Sequence, residues 1–221
     1  MKKKPTGFTG SFASLGGSGP FPSLGGGNSP EQQIITIDVN SDTTIFSGSP
    51  TATNGNASTG INIGTSSGPT VATRRGLVRF PSAALDGIPI NRVQKATIKT
   101  KFVVGSNFAE AFSIFPIERS ALIDWGDISW NNYDQSGGLG WTTPGGDYTE
   151  PAGTITHAIP PNSTREFDIT AGFLPQFEDM LGLDYFAFIF KMVDEVAIKG
   201  FQMDSLEAAE AFNQKLLVYL K

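Results

Sequence analysis

The residues with the densest chemistry lie between Asp124 and Asn132, in the stretch DWGDISWNN. It holds two of the chain's three tryptophans, two carboxylates and two amides within nine residues. Tryptophan offers a flat apolar face, and Asp and Asn side chains offer directional hydrogen bonds, so the stretch could form a ligand platform. The same residue types could instead form a structural corner that fixes loops onto a sheet.

A second candidate site lies on a strand that the alternation of residues predicts over residues 74–80. Arg75 and Arg79 share one face of this strand with Leu77 between them. Arginines so placed can rest their stems on aromatic rings and offer planar forks to carboxylates. They could pair with acids on a neighbouring strand, which is the interpretation we favour, or they could form a face that binds an anionic ligand.

Residues typical of metal and nucleophilic chemistry are scarce. The chain has no cysteine and a single histidine, His157, which lies among Thr, Ala and Ile without the setting of a nucleophile. We read it as an ordinary strand residue and predict no catalytic residue and no enzyme. Asp38, Asp42, Asp124 and Asp127 could offer oxygen ligands to a structural Ca²⁺, but no loop has EF-hand-like spacing. We therefore predict neither a metal site nor a cofactor.

Strands joined by many turns must position these side chains. The chain of 221 residues is rich in Gly (26) and Pro (14), and period-two alternation recurs along it. Residues 170–181 have the spacing of a helix with Gly182 at its end, and residues 205–212 have helical propensity. The pattern predicts an all-β fold, a two-sheet jelly-roll-like β-sandwich with one or two short helices and an extended N-terminal arm. Strands are expected at 34–39, 44–46, 61–63, 74–80, 93–104, 112–117, 154–159, 165–169, 185–192 and 215–220. The short strand at 61–63 is expected at a sheet edge within a long surface loop of residues 47–70, and the strongly apolar strand at 185–192 is expected to be buried on both faces.

The arm comprises residues 1–33 and precedes a body of residues 34–221. Its first 30 residues contain eight Gly and four Pro, and so little apolar area cannot offset their backbone entropy. Even so, the motif F-x-S-L-G-G occurs at residues 12–17 and again at 21–26. Isolated apolar pairs among glycines are useful if each enters a pocket of a partner, although chance repetition in a Gly/Ser-rich segment would also produce them. The predicted docking residues are Phe8, Phe12, Leu15, Phe21 and Leu24.

Charge is distributed unevenly. Residues 1–30 carry a charge of +3 from three lysines, and the remainder carries −8. An acidic body argues against nucleic-acid binding. No window of the sequence approaches a transmembrane span, and no apolar region of a secretory signal follows the lysines.

Several motifs in order resemble the DNRLRE domain, a family that overlaps carbohydrate-binding module family 96. They are RRGLVRF at 74–80, VQKATI at 93–98, the tryptophan stretch through Trp130-Asn131-Asn132, FDIT at 167–170 and the closing strand at 215–220. The likeness covers about residues 38–221. The resemblance implies a non-catalytic sandwich that is attached to extracellular enzymes or displayed on surfaces and that in some members binds acidic polysaccharide.

For that binding the matching residues are Arg75, Arg79, Trp125, Trp130 and Asn131. In the order of the family's motifs, however, the stretch Asp124–Asn132 corresponds better to an internal corner, so we prefer the structural interpretation of it.

Two functions follow. The first is a non-enzymatic virion structural protein, such as a bacteriophage capsid decoration, cement or fibre protein, which forms homo-oligomers in a symmetric assembly and is anchored by its arm. The second is a carbohydrate-binding module that recognises an acidic polysaccharide through its sandwich surface. The expected location is the virion surface for the first and extracellular for the second.

Overall fold

A computed structural model describes residues 32–53, 60–66, 71–104, 106–117, 123–148, 153–180, 184–196, 199–206 and 214–221. At positions 66, 106–110, 153–158, 176 and 178–180 the description covers the backbone only. The chain divides into two compact units, residues 1–31 and residues 32–221. The first unit, and with it most of the predicted arm, lies outside the described residues.

In its described residues the second unit consists mainly of antiparallel strands, together with the α-helix α1 (Thr170–Met180) and two short 3-10 turns at Ala83–Leu85 and Ile90–Arg92. The strands are β1 (Gln33–Asp38), β2 (Ser41–Phe46), β3 (Gly60–Ser66), β4 (Ala72–Pro81), β5 (Val93–Val104), β6 (Ser106–Pro116), β7 (Asn132–Asp134), β8 (Leu139–Gly140), β9 (Gly153–Ile159), β10 (Ser163–Asp168), β11 (Tyr185–Met192), β12 (Gly200–Asp204) and β13 (Lys215–Leu220).

The all-β fold predicted from the sequence is confirmed. One layer has the strand order β10-β5-β13-β1 and the other has the order β2-β4-β11-β6-β9. Strands β12 and β3 pair with each other and connect β5 to β4, so hydrogen bonds run continuously from one layer to the other. The sandwich is thus a single eleven-stranded sheet that folds over its own apolar face. A separate small sheet contains β7 and β8.

Phenylalanine rings fill the space between the two layers, which we call the inner core. The ring of Phe112 on β6 lies 5.2 Å from Phe167 of β10 and 4.9 Å from Phe201 of β12, both edge-on. It also lies 6.2 Å from Phe102 of β5. Edge-to-face pairs of this kind contribute about 0.5–1.5 kcal/mol each beyond the burial of their area. Phe112 therefore ties the two layers together.

Two sequence-based assignments need correction. The strand expected at 61–63 was predicted to be an edge strand inside a long loop, but β3 pairs with both β4 and β12. No strand was expected at β12, although Phe201 and Met203 alternate with polar residues and are buried. The predicted helix over 205–212 lies almost entirely outside the described residues. Among the helices that the structure describes, none has the length and apolarity required to cross a membrane.

Candidate functional site on the outer face of β4

The face of β4 that carries Arg75, Leu77 and Arg79 is turned away from the inner core, as the alternation predicts. Leu77 packs in a second apolar cluster with Ile45 of β2 and with Ala187 and Ile189 of β11. Adjacent antiparallel strands place directly paired residues on the same face, and Leu77 is paired with Ile189. We call this cluster the outer core. The inner core covers one face of β11 and the outer core covers the other, so β11 is buried on both faces, as the apolar sequence of residues 185–192 predicts.

The loop of residues 123–148 covers the outer core. It contributes the buried side chains Ile128, Tyr133 and Trp141, and the Trp141 Nε1–H donates to the Ser129 carbonyl oxygen at 3.1 Å. The Tyr133 and Trp141 rings meet edge-on at 5.4 Å. The loop is therefore a packed layer over β4 and β11, and the strands β7 and β8 form a short hairpin within it.

Arg75 joins the sheet to this loop from a buried position, with 7% of its surface exposed. Its Nε and Nη2 donate to the two carboxylate oxygens of Glu195 at 2.8 and 2.7 Å, and its Nη1 donates to the Gly145 carbonyl oxygen at 2.8 Å. The guanidinium also lies 4.7 Å from the centre of the Trp130 ring. A bidentate contact of this geometry neutralises the charge and fixes its orientation. Arg75 is thus paired with an acid within the protein, as the favoured interpretation expects, but Glu195 follows the end of β11 and does not lie on a neighbouring strand.

Arg79 occupies a different environment and is only half-buried. Its guanidinium lies between two rings, 5.1 Å from the centre of Trp125 and 4.1 Å from that of Tyr185, and its Nε donates to Asn40 Oδ1 at 3.0 Å. Burial lowers the pKa of Arg79 from its ordinary value, and the Tyr185 hydroxyl partly opposes this shift. The result is an oriented cation that retains access to solvent.

The remaining residues of the predicted carbohydrate set belong to the covering loop. Trp125 is buried, with 5% of its surface exposed, and its indole N–H has no hydrogen-bond partner among the described residues. Trp130 and Asn131 are half-buried. The Asn131 backbone N–H donates to the Pro50 carbonyl at 3.0 Å, and its carbonyl accepts from the Trp141 N–H at 2.9 Å. The stretch Asp124–Asn132 therefore packs and ties the loop more than it offers a flat platform.

The four candidate Ca²⁺ ligands are engaged in separate contacts. Asp124 Oδ1 accepts from the Gly126 N–H at 2.9 Å, and Asp127 Oδ2 accepts from the Ser136 N–H. Asp42 Oδ2 accepts from the Leu206 N–H at 2.7 Å, and Asp38 pairs with Lys215. Over the part of the chain that the structure describes, no group of three or more His, Cys, Asp or Glu residues could hold a metal ion.

The layer of β10, β5 and β13 carries a hydrogen-bond network around a carboxylate that the sequence did not predict. Glu166 Oε1 of β10 accepts from the Tyr219 hydroxyl and from Thr97 Oγ1, both at 2.7 Å. Partial burial raises the pKa of Glu166, but these two hydrogen bonds and the charges of Lys95 and Lys99 outweigh it, so the pKa lies below its usual value. The hydrogen bond to Glu166 raises the pKa of Tyr219. The register of β5 with β10 and β13, which the sequence does not reveal, assembles this network.

Other predicted residues lie beyond what the structure describes. The docking residues Phe8, Phe12, Leu15, Phe21 and Leu24 all precede residue 32. His157 is placed by its backbone alone, in β9 opposite Glu110 of β6.

Comparison with protein-family models finds no match for this chain. Comparison with curated proteins also finds none. The resemblance of residues 38–221 to the DNRLRE domain therefore stays a prediction that rests on the quoted motifs.

Proposed function

We propose that the protein is a non-enzymatic structural component of a large symmetric assembly, of the kind found on the surface of a bacteriophage virion. In this proposal the β-sandwich is displayed as a capsid decoration, cement or fibre-type domain, and the N-terminal arm attaches it to neighbouring subunits. The observation that carries the proposal is the repeat of F-x-S-L-G-G at residues 12–17 and 21–26, outside the unit of residues 32–221.

The physical argument starts from the composition of the arm. A chain with eight glycines in its first 30 residues loses much backbone entropy on ordering, and the Phe and Leu of each repeat offer little apolar area in return. Ordering on a partner becomes favourable when several such anchors bind one surface, because each further anchor binds at a high effective concentration. Phe12 with Leu15 and Phe21 with Leu24 suit two equivalent pockets on a repeating partner.

The body suits display because its described faces are built for stability. It has an inner core and an outer core, and several of its charges are paired. Examples are Arg75 with Glu195, Lys95 with Asp168 and Lys215 with Asp38. Such a domain supports an anchoring role for the arm, since residues 32–221 form a compact unit by themselves.

The test is a deletion of residues 2–30 with co-sedimentation on the native assembled particle as the measurement. We expect loss of co-sedimentation and an unchanged unfolding temperature of the body. Two point variants separate the causes: Phe12→Ser with Phe21→Ser should weaken attachment strongly, whereas Lys2→Gln, Lys3→Gln and Lys4→Gln together should leave it nearly unchanged. Attachment that persists after the deletion would refute the proposal.

Recognition of an acidic polysaccharide is the second candidate, and Arg79 is the observation that favours it. Its guanidinium is held between Trp125 and Tyr185 and is still half-exposed, so it could meet a sugar carboxylate beside an aromatic edge. A glycan array should then show binding to uronate polymers that decreases as the salt concentration rises. This binding should disappear in Arg79→Gln and persist in Arg92→Gln, because Arg92 is an exposed arginine elsewhere on the surface. An array without signal above background would exclude this candidate.

A further inference from the structure

A cavity of about 250 Å³ lies where β3 meets β12, away from the outer core. The two strands approach closely through glycines. Gly64 has φ 128° and is paired with Gly200, and a Cβ atom on Gly64 would clash with the Lys199 carbonyl oxygen. These glycines let the backbones of the two strands approach closely beside the cavity.

The lining of this cavity is cationic in a protein of net charge −5. Arg74 and Lys199 both line it, and no Asp or Glu is among its described lining residues. Neither cation forms an ion pair within the described ranges, whereas the neighbouring Arg75 is bound by Glu195. The Arg74 guanidinium lies 5.0 Å from the centre of the Phe46 ring. The ring orients the guanidinium by a cation–π contact and leaves the N–H edges available to an anion.

Two amide side chains add neutral donors. Gln202 Nε2 donates to Asn62 Oδ1 at 3.4 Å, and Asn62 Nδ2 donates to the Gly60 carbonyl at 3.3 Å. Each amide nitrogen has two hydrogens, so each retains one for a ligand. The cavity therefore combines two positive charges with several N–H donors. Of the two amide oxygens, that of Asn62 already accepts from Gln202, and that of Gln202 is a further acceptor.

We propose that this cavity binds a phosphate monoester group. A phosphate monoester carries a charge of about −1.5 to −2 near neutral pH and has three acceptor oxygens, which match two unpaired cations and the amide donors. A carboxylate has one charge and two oxygens, so it would leave a cation and donors unsatisfied. The half-exposed apolar surface of Val104 at the rim is available to the remainder of the ligand.

Isothermal titration calorimetry of the full chain at low ionic strength tests this proposal, with glucose 6-phosphate as the probe. Inorganic phosphate, glucuronate and glucose are the comparison ligands. We expect glucose 6-phosphate to bind, glucuronate to bind about tenfold more weakly or worse, and glucose not to bind. If inorganic phosphate binds as tightly as glucose 6-phosphate, the site takes the free ion. If glucose 6-phosphate binds more tightly, the site takes a phosphorylated molecule. Both outcomes support the phosphate chemistry. A drop in affinity between about pH 7.5 and about pH 5 should accompany the loss of the second ester charge.

Variants assign the binding to the cavity. Lys199→Gln changes an exposed side chain and should weaken glucose 6-phosphate binding about tenfold without altering the unfolding temperature. Arg74→Gln should have at least as large an effect, and Arg92→Gln is the matched control with unchanged affinity. The proposal is wrong if no phosphate binds at about 10 mM, which corresponds to negligible affinity. It is equally wrong if glucuronate matches the ester, or if Lys199→Gln binds as the wild type does.

Discussion

Replacing Glu195 by Gln should loosen the loop that covers the outer core. The change is nearly isosteric, but it removes the charge that faces Arg75, of which 7% is exposed. Loss of one partner of a buried ion pair typically destabilises by about 3–5 kcal/mol. The Glu195 side chain is 21% exposed, and glutamine retains one acceptor oxygen, so the expected loss is about 2–3 kcal/mol.

Urea unfolding measures this loss, and an exposed pair supplies the control. Asp38→Asn breaks the contact between Asp38, whose side chain is 61% exposed, and Lys215, whose side chain is 34% exposed. It should lower the free energy of unfolding by about 0–1 kcal/mol. Amide exchange at Gly145 and Asn131, which bond to Trp130 and Pro50, should accelerate only in Glu195→Gln. The paired variant Arg75→Met with Glu195→Leu should recover much of the stability, because neither charge of the Arg75–Glu195 pair is then left without its partner. Equal effects of Glu195→Gln and Asp38→Asn would show that the Arg75 contact does not hold the loop.

Two further predictions concern the sheet itself. Gly64→Ala should destabilise the fold by about 3 kcal/mol or more, because φ is 128° and the added Cβ meets the Lys199 carbonyl. Gly87 also has a positive φ, 76°, but has open space around it, so Gly87→Ala should destabilise the fold by only about 1 kcal/mol. The urea midpoints of the two variants measure the difference, and similar midpoints would refute the role of the contact between residue 64 and the Lys199 carbonyl. The second prediction concerns the pH dependence of stability. The pKa of Glu166 is lower in the folded state than in the unfolded state, where it is about 4.3. The ionised Glu166 side chain therefore stabilises the fold above about pH 4.3, and this stabilisation is lost as the pH falls through the folded-state pKa. The difference in stability between wild type and Glu166→Gln should therefore shrink between about pH 5 and pH 3, and a constant difference would contradict this reasoning.

Local pattern predicted most of the strands because most of them alternate against one apolar layer, whereas β11, which is buried on both faces, is apolar along its whole length. Residues 93–104 and 185–192 were assigned at the bounds of β5 and β11. Residues 170–180 form α1, and the last residue of the predicted helix, Leu181, lies outside the described residues. The strand β12 was missed because Phe201 and Met203 provide only one full period of alternation within five residues. Its existence depends on pairing with β3 and β5, which is a property of the whole sheet.

The partners of the site residues were less predictable. Glu195 lies 120 residues from Arg75, and the pairing of β4 with β11 brings the two segments together. Pattern could place Arg75 and Arg79 on one face, but it could not show that the loop of residues 123–148 closes over the first and leaves the second half-exposed. Side-chain burial on a sheet face depends on what packs above it, and a distant loop supplies that layer here.

The three arginines of β4 show how one strand can separate stability from binding. Arg74 and Arg75 are adjacent, so their side chains point to opposite faces of the sheet. Arg75 is enclosed by Glu195, Gly145 and Trp130, and its charge is used to fix the covering loop. Arg74 lines the cavity at β3 and β12 without an ionic partner in the described structure. A ligand that binds Arg74 does not need to break the contact that holds the loop, so variants at the cavity should change affinity while leaving the outer core intact.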